Sequence, residues 1–170
     1  MKQLNQLKVV ATTSRPDTIE CVKEMGANVV INHRNPLSEE LKGASFESIE
    51  FVASLTHTDQ HLAEIEKLLA PQGHMGVIDD PKTLDIMPFK KKSIGIYWEL
   101  MFTRHLFQRP DMIEQHSILG KVADLVDQGL VVTTKQRNLG DINAENLIKA
   151  HELQESGTAI GKTVLSGFEG

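Results

Sequence analysis

Residues 7–34, LKVVATTSRPDTIECVKEMGANVVINHR, have the pattern of a strand, a helix and a second strand. Residues 8–13 and 28–33 are short β-rich runs, and 16–25 carry apolar residues at helical spacing. Proline suits the first helical position, where its missing N–H needs no partner, and Gly26 suits a left-handed C-terminal cap. Two strands joined by one helix should lie parallel with a right-handed crossover. The segment is therefore predicted to be a βαβ unit.

The alternation of strands and helices continues through the next hundred residues. We predict strands at 48–55, 73–78 and 93–99, and helices at 36–42, 57–69 and 111–128. This order is typical of a parallel, doubly wound α/β sheet. Asp111 is expected to cap the longest helix, with Glu114 completing a capping box. The three lysines at 90–92 are expected to form a solvated charge cluster.

The pattern changes in the last quarter of the chain. Residues 130–143 are turn-rich and strand-like, Asn143 is placed to cap a helix that runs through Glu155, and 160–165 form a terminal strand. We therefore divide the chain into a doubly wound part, residues 1–129, and a C-terminal helix–strand appendage, residues 130–170.

Composition excludes several kinds of partner. The net charge is −5 and the isoelectric point is near 5.8, which argues against a nucleic-acid partner. No apolar run approaches about 18 residues, so no membrane association is expected. The single cysteine, Cys21, cannot form an internal disulfide, which favours a reducing compartment, and we expect the cytoplasm.

The end of the first strand is the best candidate for a ligand site. In doubly wound dinucleotide-binding domains an acid at the end of the second strand binds the NAD ribose, whereas basic groups accept the 2′-phosphate of NADP. If the first visible strand is that second strand, it ends in Thr13, Ser14 and Arg15, with no carboxylate before Asp17. A serine hydroxyl and an arginine beside a helix N-terminus would bind a phosphate. The alternative is that Ser14 only caps the helix and Arg15 is merely exposed.

Other candidates carry weaker signals. His57 and His61 are four residues apart, a spacing that metal ligands use, but exposed helix histidines are the favoured interpretation. Cys21 is expected to be buried rather than reactive. Asp79 and Asp80 follow a strand, where they could contact a ligand or simply end the strand. The sequence contains no GxGxxG, GxxxxGK or GxSxG motif.

Three stretches resemble a known superfamily. They are VVATTSRPDTIECVKEMGANVVINHR, LLAPQGHMGVID and, most specifically, HELQESGTAIGKTVLSGF. Together they are similar to the second half of medium-chain dehydrogenases/reductases, nearest to the zinc-type alcohol dehydrogenase-like and quinone oxidoreductase branch. The resemblance extends over essentially the whole chain.

The resemblance implies an incomplete Rossmann-like sheet that lacks its first strand and its Gly-rich loop. Residues 1–6 would then be the end of the helix that follows this loop. Residues 130–170 would pack on a catalytic domain that is also missing, so the chain is expected to be roughly the C-terminal half of an oxidoreductase. No zinc is expected in this chain, because it offers no cysteine-rich lobe.

The resemblance also implies a function and a cofactor site. The complete enzyme would be an NADP(H)-dependent reductase that transfers hydride to a quinone, an enone or another small carbonyl substrate, and a homodimer is expected, formed through residues 98–102. No catalytic residue is assigned to this chain, which by itself should be a poor catalyst. The alternative is a non-catalytic dimerisation or assembly module. The implied cofactor contacts are Ser14, Arg15 and His33 for the 2′-phosphate, and Ser54, Leu55, Thr56, Val77 and Ile78 for the adenosine and nicotinamide ends.

Overall fold

The computed structural model describes residues 7–168, and the helix end predicted at residues 1–6 lies outside them. The strands are β1 (Val10–Thr12), β2 (Val29–Ile31), β3 (Ile49–Ser54), β4 (Leu69–Val77), β5 (Gly95–Trp98), β6 (Lys135–Asn138) and β7 (Lys162–Val164). The α-helices are α1 (Pro16–Glu24), α2 (Leu37–Gly43), α3 (Thr58–Leu68), α4 (Thr103–Leu106), α5 (Glu114–Asp127) and α6 (Ala144–Glu155), and Met87–Lys92 form a 3-10 helix.

The chain divides into two compact units. The first unit comprises Val10–Ser14 and Val29–Ile118, and the second comprises the other described residues. The division at residue 129 that the sequence suggested stays a prediction. No helix within residues 7–168 has both the length and the apolar character that a membrane span requires.

All the strand pairs of the first unit are parallel. β1 pairs with β2, and β4 lies between β3 and β5. Within the described residues β1 has no partner other than β2, and β3 has none other than β4, so each leaves one edge unpaired. Parallel strands alternating with helices confirm the predicted Rossmann-like α/β class.

The core of the first unit lies between its sheets and the helices α2 and α3. Met75 of β4 is completely buried, and Leu41 of α2 and Leu69 are nearly so. Phe89 of the 3-10 helix closes the same cluster at 2% exposure. Alternate residues of β4 therefore bury their side chains, as expected for a strand that has one face against a packed layer.

β4 begins four residues earlier than the sequence predicted. Residues 70–72 fall between the predicted helix and the predicted strand, but in the structure they belong to the strand, and Ile49 pairs with Leu69. The register then shifts, so that Phe51 pairs with His74. Gln72 has a φ of 64°, a left-handed conformation that makes an irregularity in the strand. The turn-like composition thus marks a bulge within the strand.

Three residues predicted to mark helix ends occupy those positions in the structure. Pro16 is the first residue of α1, and Gly26 follows that helix with a φ of 101°. Asn143 caps α6 by accepting a hydrogen bond from the Asn146 N–H at 2.8 Å. Each signal depends only on neighbours in the sequence, so it could be recognised without knowledge of the fold.

The predicted cap at Asp111 was wrong. α5 begins at Glu114, and the Asp111 carboxylate accepts a hydrogen bond from Arg104 Nε at 3.1 Å. The guanidinium competes for the carboxylate and leaves it unavailable as a cap, and it holds the pKa of Asp111 below its usual value.

One lysine of the predicted solvated cluster, Lys92, makes hydrogen bonds within the protein. Lys92 Nζ donates to the carbonyls of Glu66, Lys67 and Leu69 at 2.5, 3.0 and 3.0 Å. These carbonyls lie at the C-terminal end of α3, where backbone acceptors lack partners and a positive charge is favourable. Lys92 therefore ties the 3-10 helix to α3.

In the second unit, β6 and β7 pair in parallel on either side of α6 in the chain. Lys135 pairs with Lys162 and Asn138 with Val164, with one register shift between them. An isolated bridge between Ile142 and Phe168 extends this contact. The predicted helix and terminal strand of this segment are both present.

Replacing Met75 with alanine should lower the free energy of unfolding by about 2–5 kcal/mol, because the change leaves a cavity among tightly packed neighbours. Urea unfolding followed by circular dichroism would measure the loss. Met87→Ala is the matched control, since Met87 is 65% exposed and its removal should change stability by less than about 0.5 kcal/mol. Equal losses in the two variants would contradict the assigned core.

Candidate functional site

The end of β1 places Ser14 and Arg15 at the start of α1. Thr13 is buried, and its N–H donates to the Ile31 carbonyl at 3.0 Å, which keeps β1 paired with β2 up to this point. Arg15 is the N-cap residue of α1, with φ −110° and ψ 140°. The N-cap position is held by Arg15 rather than by Ser14, and the Arg15 side chain makes no capping hydrogen bond, so the interpretation that Ser14 acts as the cap is wrong.

The Arg15 side chain is half-buried and only weakly paired. It is 32% exposed, and Nε lies 3.6 Å from Asp17 Oδ1. The Arg15 carbonyl accepts a hydrogen bond from Thr18 Oγ1 at 2.8 Å, which fixes the backbone in the first turn of α1. An ion pair this long and this exposed adds little stability, so the guanidinium can exchange its partner for a ligand anion at little cost.

A buried polar network joins the ends of β3 and β4 to the start of α3. The Asp79 carboxylate accepts hydrogen bonds from both the N–H of Thr58, at 2.9 Å, and the Thr58 hydroxyl. The same Thr58 hydroxyl contacts Ser54 Oγ at 2.7 Å. Thr58 is completely buried. Asp79 thus caps α3 from just beyond the end of β4. The sequence alone left open whether Asp79 contacts a ligand or only ends the strand.

The hydrogen bonds from Thr58 hold the pKa of Asp79 below its usual range, the hydroxyl having the larger effect and the backbone N–H the next. Burial opposes this shift, and the charge of His57 assists it. Asp79 is therefore ionised at neutral pH, which suits its position at the positive end of a helix.

The structure separates the predicted cofactor residues that follow β3 and β4 into two groups. Ser54 and Val77 face inward, since Ser54 belongs to the polar network and Val77 is 1% exposed in the core. Leu55 and Ile78 are 61% and 52% exposed, and Thr56 is exposed as well. Only the exposed group offers side chains to a ligand.

Three histidines of the first unit lie near one another. His33 follows β2, His57 precedes the first residue of α3, and His61 lies in its second turn. The rings of His33 and His61 are 6.2 Å apart between centroids, in an edge-to-face arrangement. Within residues 7–168 no group of three or more histidine, cysteine, aspartate or glutamate side chains is arranged to hold a metal ion.

A cavity lies elsewhere in the first unit. It has a volume of about 540 Å³ and lies between β2 and α2, and its lining includes Val30, Ile31, Glu39 and Glu40. None of the predicted cofactor residues lines it. Its two glutamates would repel a phosphate, so its chemistry does not match a nucleotide.

Comparison with known proteins reveals an extended similarity. The sequence profile of the family described as zinc-binding dehydrogenase matches residues 25–165. A zinc-type alcohol dehydrogenase-like protein of Staphylococcus epidermidis is 32% identical over 161 residues, which are 94% of this chain and 48% of that protein. The chain thus spans about half the length of the curated relatives it matches.

Solved structures show the same similarity to alcohol dehydrogenases. A Rhizobium etli protein assigned to the zinc-dependent alcohol dehydrogenases is 51% identical, with a TM-score of 0.93 over 99% of this chain and 49% of that one. An Escherichia coli alcohol dehydrogenase in complex with NADH is 17% identical, with a TM-score of 0.73 over 97% of this chain and 46% of that one. The second similarity supports the fold alone.

Replacing Asp79 with asparagine keeps an oxygen acceptor but removes the negative charge, so it should lower the free energy of unfolding at pH 7 by about 0.5–1 kcal/mol through loss of the charge-assisted hydrogen bonds and of the favourable interaction with the start of α3. Because the pKa of Asp79 is lowered in the folded state, its contribution is complete above the unfolded value near 3.8 and is lost as the pH falls through the folded value. Chemical unfolding of both proteins across this pH range would measure the difference.

The neighbouring Asp80→Asn is the matched control for this measurement, because Asp80 is exposed and should contribute little at any pH. A stability difference between the wild type and Asp79→Asn that does not decrease at all as the pH falls below the unfolded value near 3.8 would contradict the assigned role.

Proposed function

The chain belongs to the zinc-binding dehydrogenase family, and on that premise we propose that it forms the NADP(H)-binding part of an oxidoreductase. In open parallel α/β sheets, ligands bind outside the carboxyl ends of the strands. The exposed side chains of Leu55, Thr56 and Ile78 follow two such ends, and Ser14 follows a third. This shared position is the observation that supports the proposal.

The preference for NADP(H) over NAD(H) is supported by the residues that follow β1. An NAD site has a carboxylate at this place to bind the ribose hydroxyls, whereas here Thr13, Ser14 and Arg15 follow the strand. The Arg15 guanidinium offers several parallel donors that match a phosphate, and its existing ion pair with Asp17 is weak. The family resemblance adds His33 as a further contact.

In the complete enzyme we propose hydride transfer between the nicotinamide and a quinone, an enone or another small carbonyl compound. The cofactor supplies this chemistry when it is bound. The residues of this chain would hold the adenosine end and set the position of the nicotinamide, and we assign none of them a catalytic role. The described residues do not fit a zinc ion, so no step is assigned to a metal.

A second candidate function is supported by an exposed apolar surface in the first unit. Trp98, Met101, Phe102 and Phe107 are each 57–74% exposed, and they lie in one short segment that begins in β5. Exposed apolar side chains at this density are typical of protein interfaces. The surface favours a homodimer and would serve an assembly module equally well. The lone Cys21 is the feature that supports a location in the reducing cytoplasm.

Arg15→Ala should weaken NADP⁺ binding by about 10- to 100-fold, the effect of losing charge-assisted hydrogen bonds to a phosphate. NAD⁺ has no 2′-phosphate, so its weaker binding should not change. Isothermal titration of the 170-residue chain with each nucleotide would measure both affinities. Arg137→Ala is the matched control, because Arg137 is an exposed arginine on β6 whose loss should affect neither nucleotide.

Equal affinity of the wild type for NAD⁺ and NADP⁺ would contradict the cofactor preference. If neither nucleotide binds and the chain sediments as a discrete dimer, the assembly module becomes the better description of this chain.

A further inference from the structure

His57 lies between β3 and α3 in a backbone conformation that few residues other than glycine adopt. Its φ is 53° and its ψ is 37°, which is the left-handed region. It occupies the N-cap position of α3, where an extended conformation is usual. Arg15 and Asn143, the N-cap residues of α1 and α6, do have that extended conformation. The backbone of His57 is therefore an exception to the ordinary way in which a helix begins.

The other non-glycine residues with a positive φ, among those that the structure describes, each have a local explanation. Ser45, Ser93 and Gln108 follow the ends of helices, where a left-handed residue commonly ends the helix. Gln72 lies in the irregularity of β4. His57 neither follows a helix nor belongs to a strand. Backbone strain that has no such local reason is typical of functional sites.

Buried hydrogen bonds hold the chain in this conformation. Thr58, the next residue, is completely buried, and its N–H and hydroxyl both donate to the Asp79 carboxylate. The Thr58 hydroxyl also contacts Ser54 Oγ at 2.7 Å. Ser54 is the last residue of β3 and Thr58 is the first of α3, so both ends of the loop 55–57 are fixed. The loop makes its sharp turn at His57.

The imidazole of His57 contributes little to this arrangement. The side chain is exposed and does not cap α3, and its Nδ1 lies 3.5 Å from Gln60 Nε2, at the limit of a hydrogen bond. Its charge has a smaller effect on Asp79 than the hydrogen bonds from Thr58 do. The His57 carbonyl, by contrast, accepts a hydrogen bond from the Gln60 N–H at 3.1 Å. The backbone of His57, rather than its ring, is what shapes the loop.

We propose that His57 is a positioning residue for the dinucleotide, and that it acts through its left-handed backbone on the two residues before it. The proposal rests on the proposed function, because Leu55 and Thr56 are expected to contact the nucleotide. Both are exposed immediately before the turn. With Ser54 and Thr58 held in place, a change of φ at His57 would rotate the peptide groups between them and redirect Leu55 and Thr56. The turn thus orders these two residues before the ligand arrives, which lowers the cost of binding.

Substitutions that differ in their tolerance of a positive φ test this role in the 170-residue chain. Glycine and asparagine adopt the left-handed conformation readily, whereas the β-branched valine does not. His57→Val should weaken the binding of NADP⁺ and of NAD⁺ by roughly tenfold or more, because fewer molecules hold the competent loop. His57→Asn and His57→Gly should stay within about threefold of the wild type. Isothermal titration would measure all four proteins.

The ratio of the two affinities separates this role from a direct contact with the 2′-phosphate. His57→Val should weaken NADP⁺ and NAD⁺ by the same factor, since the loop would contact parts that both nucleotides share. Arg15→Ala, in contrast, should weaken NADP⁺ alone. At saturating NADP⁺, the amide shifts that the nucleotide induces at Ser14 and Arg15 should persist in His57→Val, while those at Leu55 and Thr56 should be reduced.

Ser45→Val is the matched control, because Ser45 is an exposed residue with a φ of 66° that lies outside the predicted cofactor residues. It should lose about as much thermal stability as His57→Val and keep both nucleotide affinities. His57→Ala is a milder change than His57→Val and should give an intermediate loss of affinity, so it provides the measurement if the valine variant does not fold.

Equal losses of affinity in His57→Gly and His57→Val would overturn the proposal, since the imidazole itself would then bind the nucleotide. The same holds if His57→Val keeps the affinity of the wild type, or if Ser45→Val loses as much. In each of these cases the wild type still binds NADP⁺, so the proposed function stands. A wild type that binds neither nucleotide would instead refute the proposed function, and the role of His57 with it.

Discussion

The hydrogen bonds between Asp79 and Thr58 connect the elements on which the candidate site depends. One carboxylate, just beyond the end of β4, caps α3 through both the N–H and the hydroxyl of Thr58, which also contacts Ser54 at the end of β3. Two parallel strands and the helix between them are therefore fixed at the same edge. Because Thr58 is buried, its polar groups could not be left without partners except at considerable cost.

This arrangement explains which side chains remain available to a ligand. The Ser54 hydroxyl is hydrogen-bonded to Thr58 and the Val77 side chain is buried in the core, so both residues stabilise the fold and neither is available to a ligand. Leu55, Thr56 and Ile78 follow the same strands by one or two residues and are exposed. A rigid edge that carries exposed side chains just beyond it is a typical arrangement for a binding site on a parallel sheet.

Much of the fold could be predicted because its signals are local. The periodicity of residues 7–34, the proline at the start of α1 and the cap at Asn143 depend on neighbours within four residues. The predictions that failed concern side chains whose partners lie outside the local segment, or a backbone irregularity within a strand. Lys92 caps a helix that ends more than twenty residues earlier, and Asp111, which lies before α5, is held by Arg104 of the preceding helix α4. The start of β4 was missed because its bulge has the composition of a turn.

The sequence placed the candidate site residues at the ends of β1, β2, β3 and β4 but could not separate the residues that face inward from those that are exposed. Ser54 and Thr56 are equally polar and two residues apart, and only the position of Thr58 decides that one is internal. The spacing of His57 and His61 is visible in the sequence, but the contact between the rings of His33 and His61 depends on the fold, because the two residues follow different strands. The four-residue spacing of His57 and His61 is one that metal ligands use, but exposed histidines are the favoured interpretation of the sequence, and in the structure His57 is exposed and His61 half-buried.

The most direct test of the central claim is to map the NADP⁺ site by backbone amide chemical shifts in the 170-residue chain. We expect the largest changes at Ser14, Arg15, Leu55, Thr56 and Ile78, the residues beyond the strand ends. Changes confined to the cavity lined by Glu39 and Glu40, or spread evenly over the chain, would contradict the proposed site.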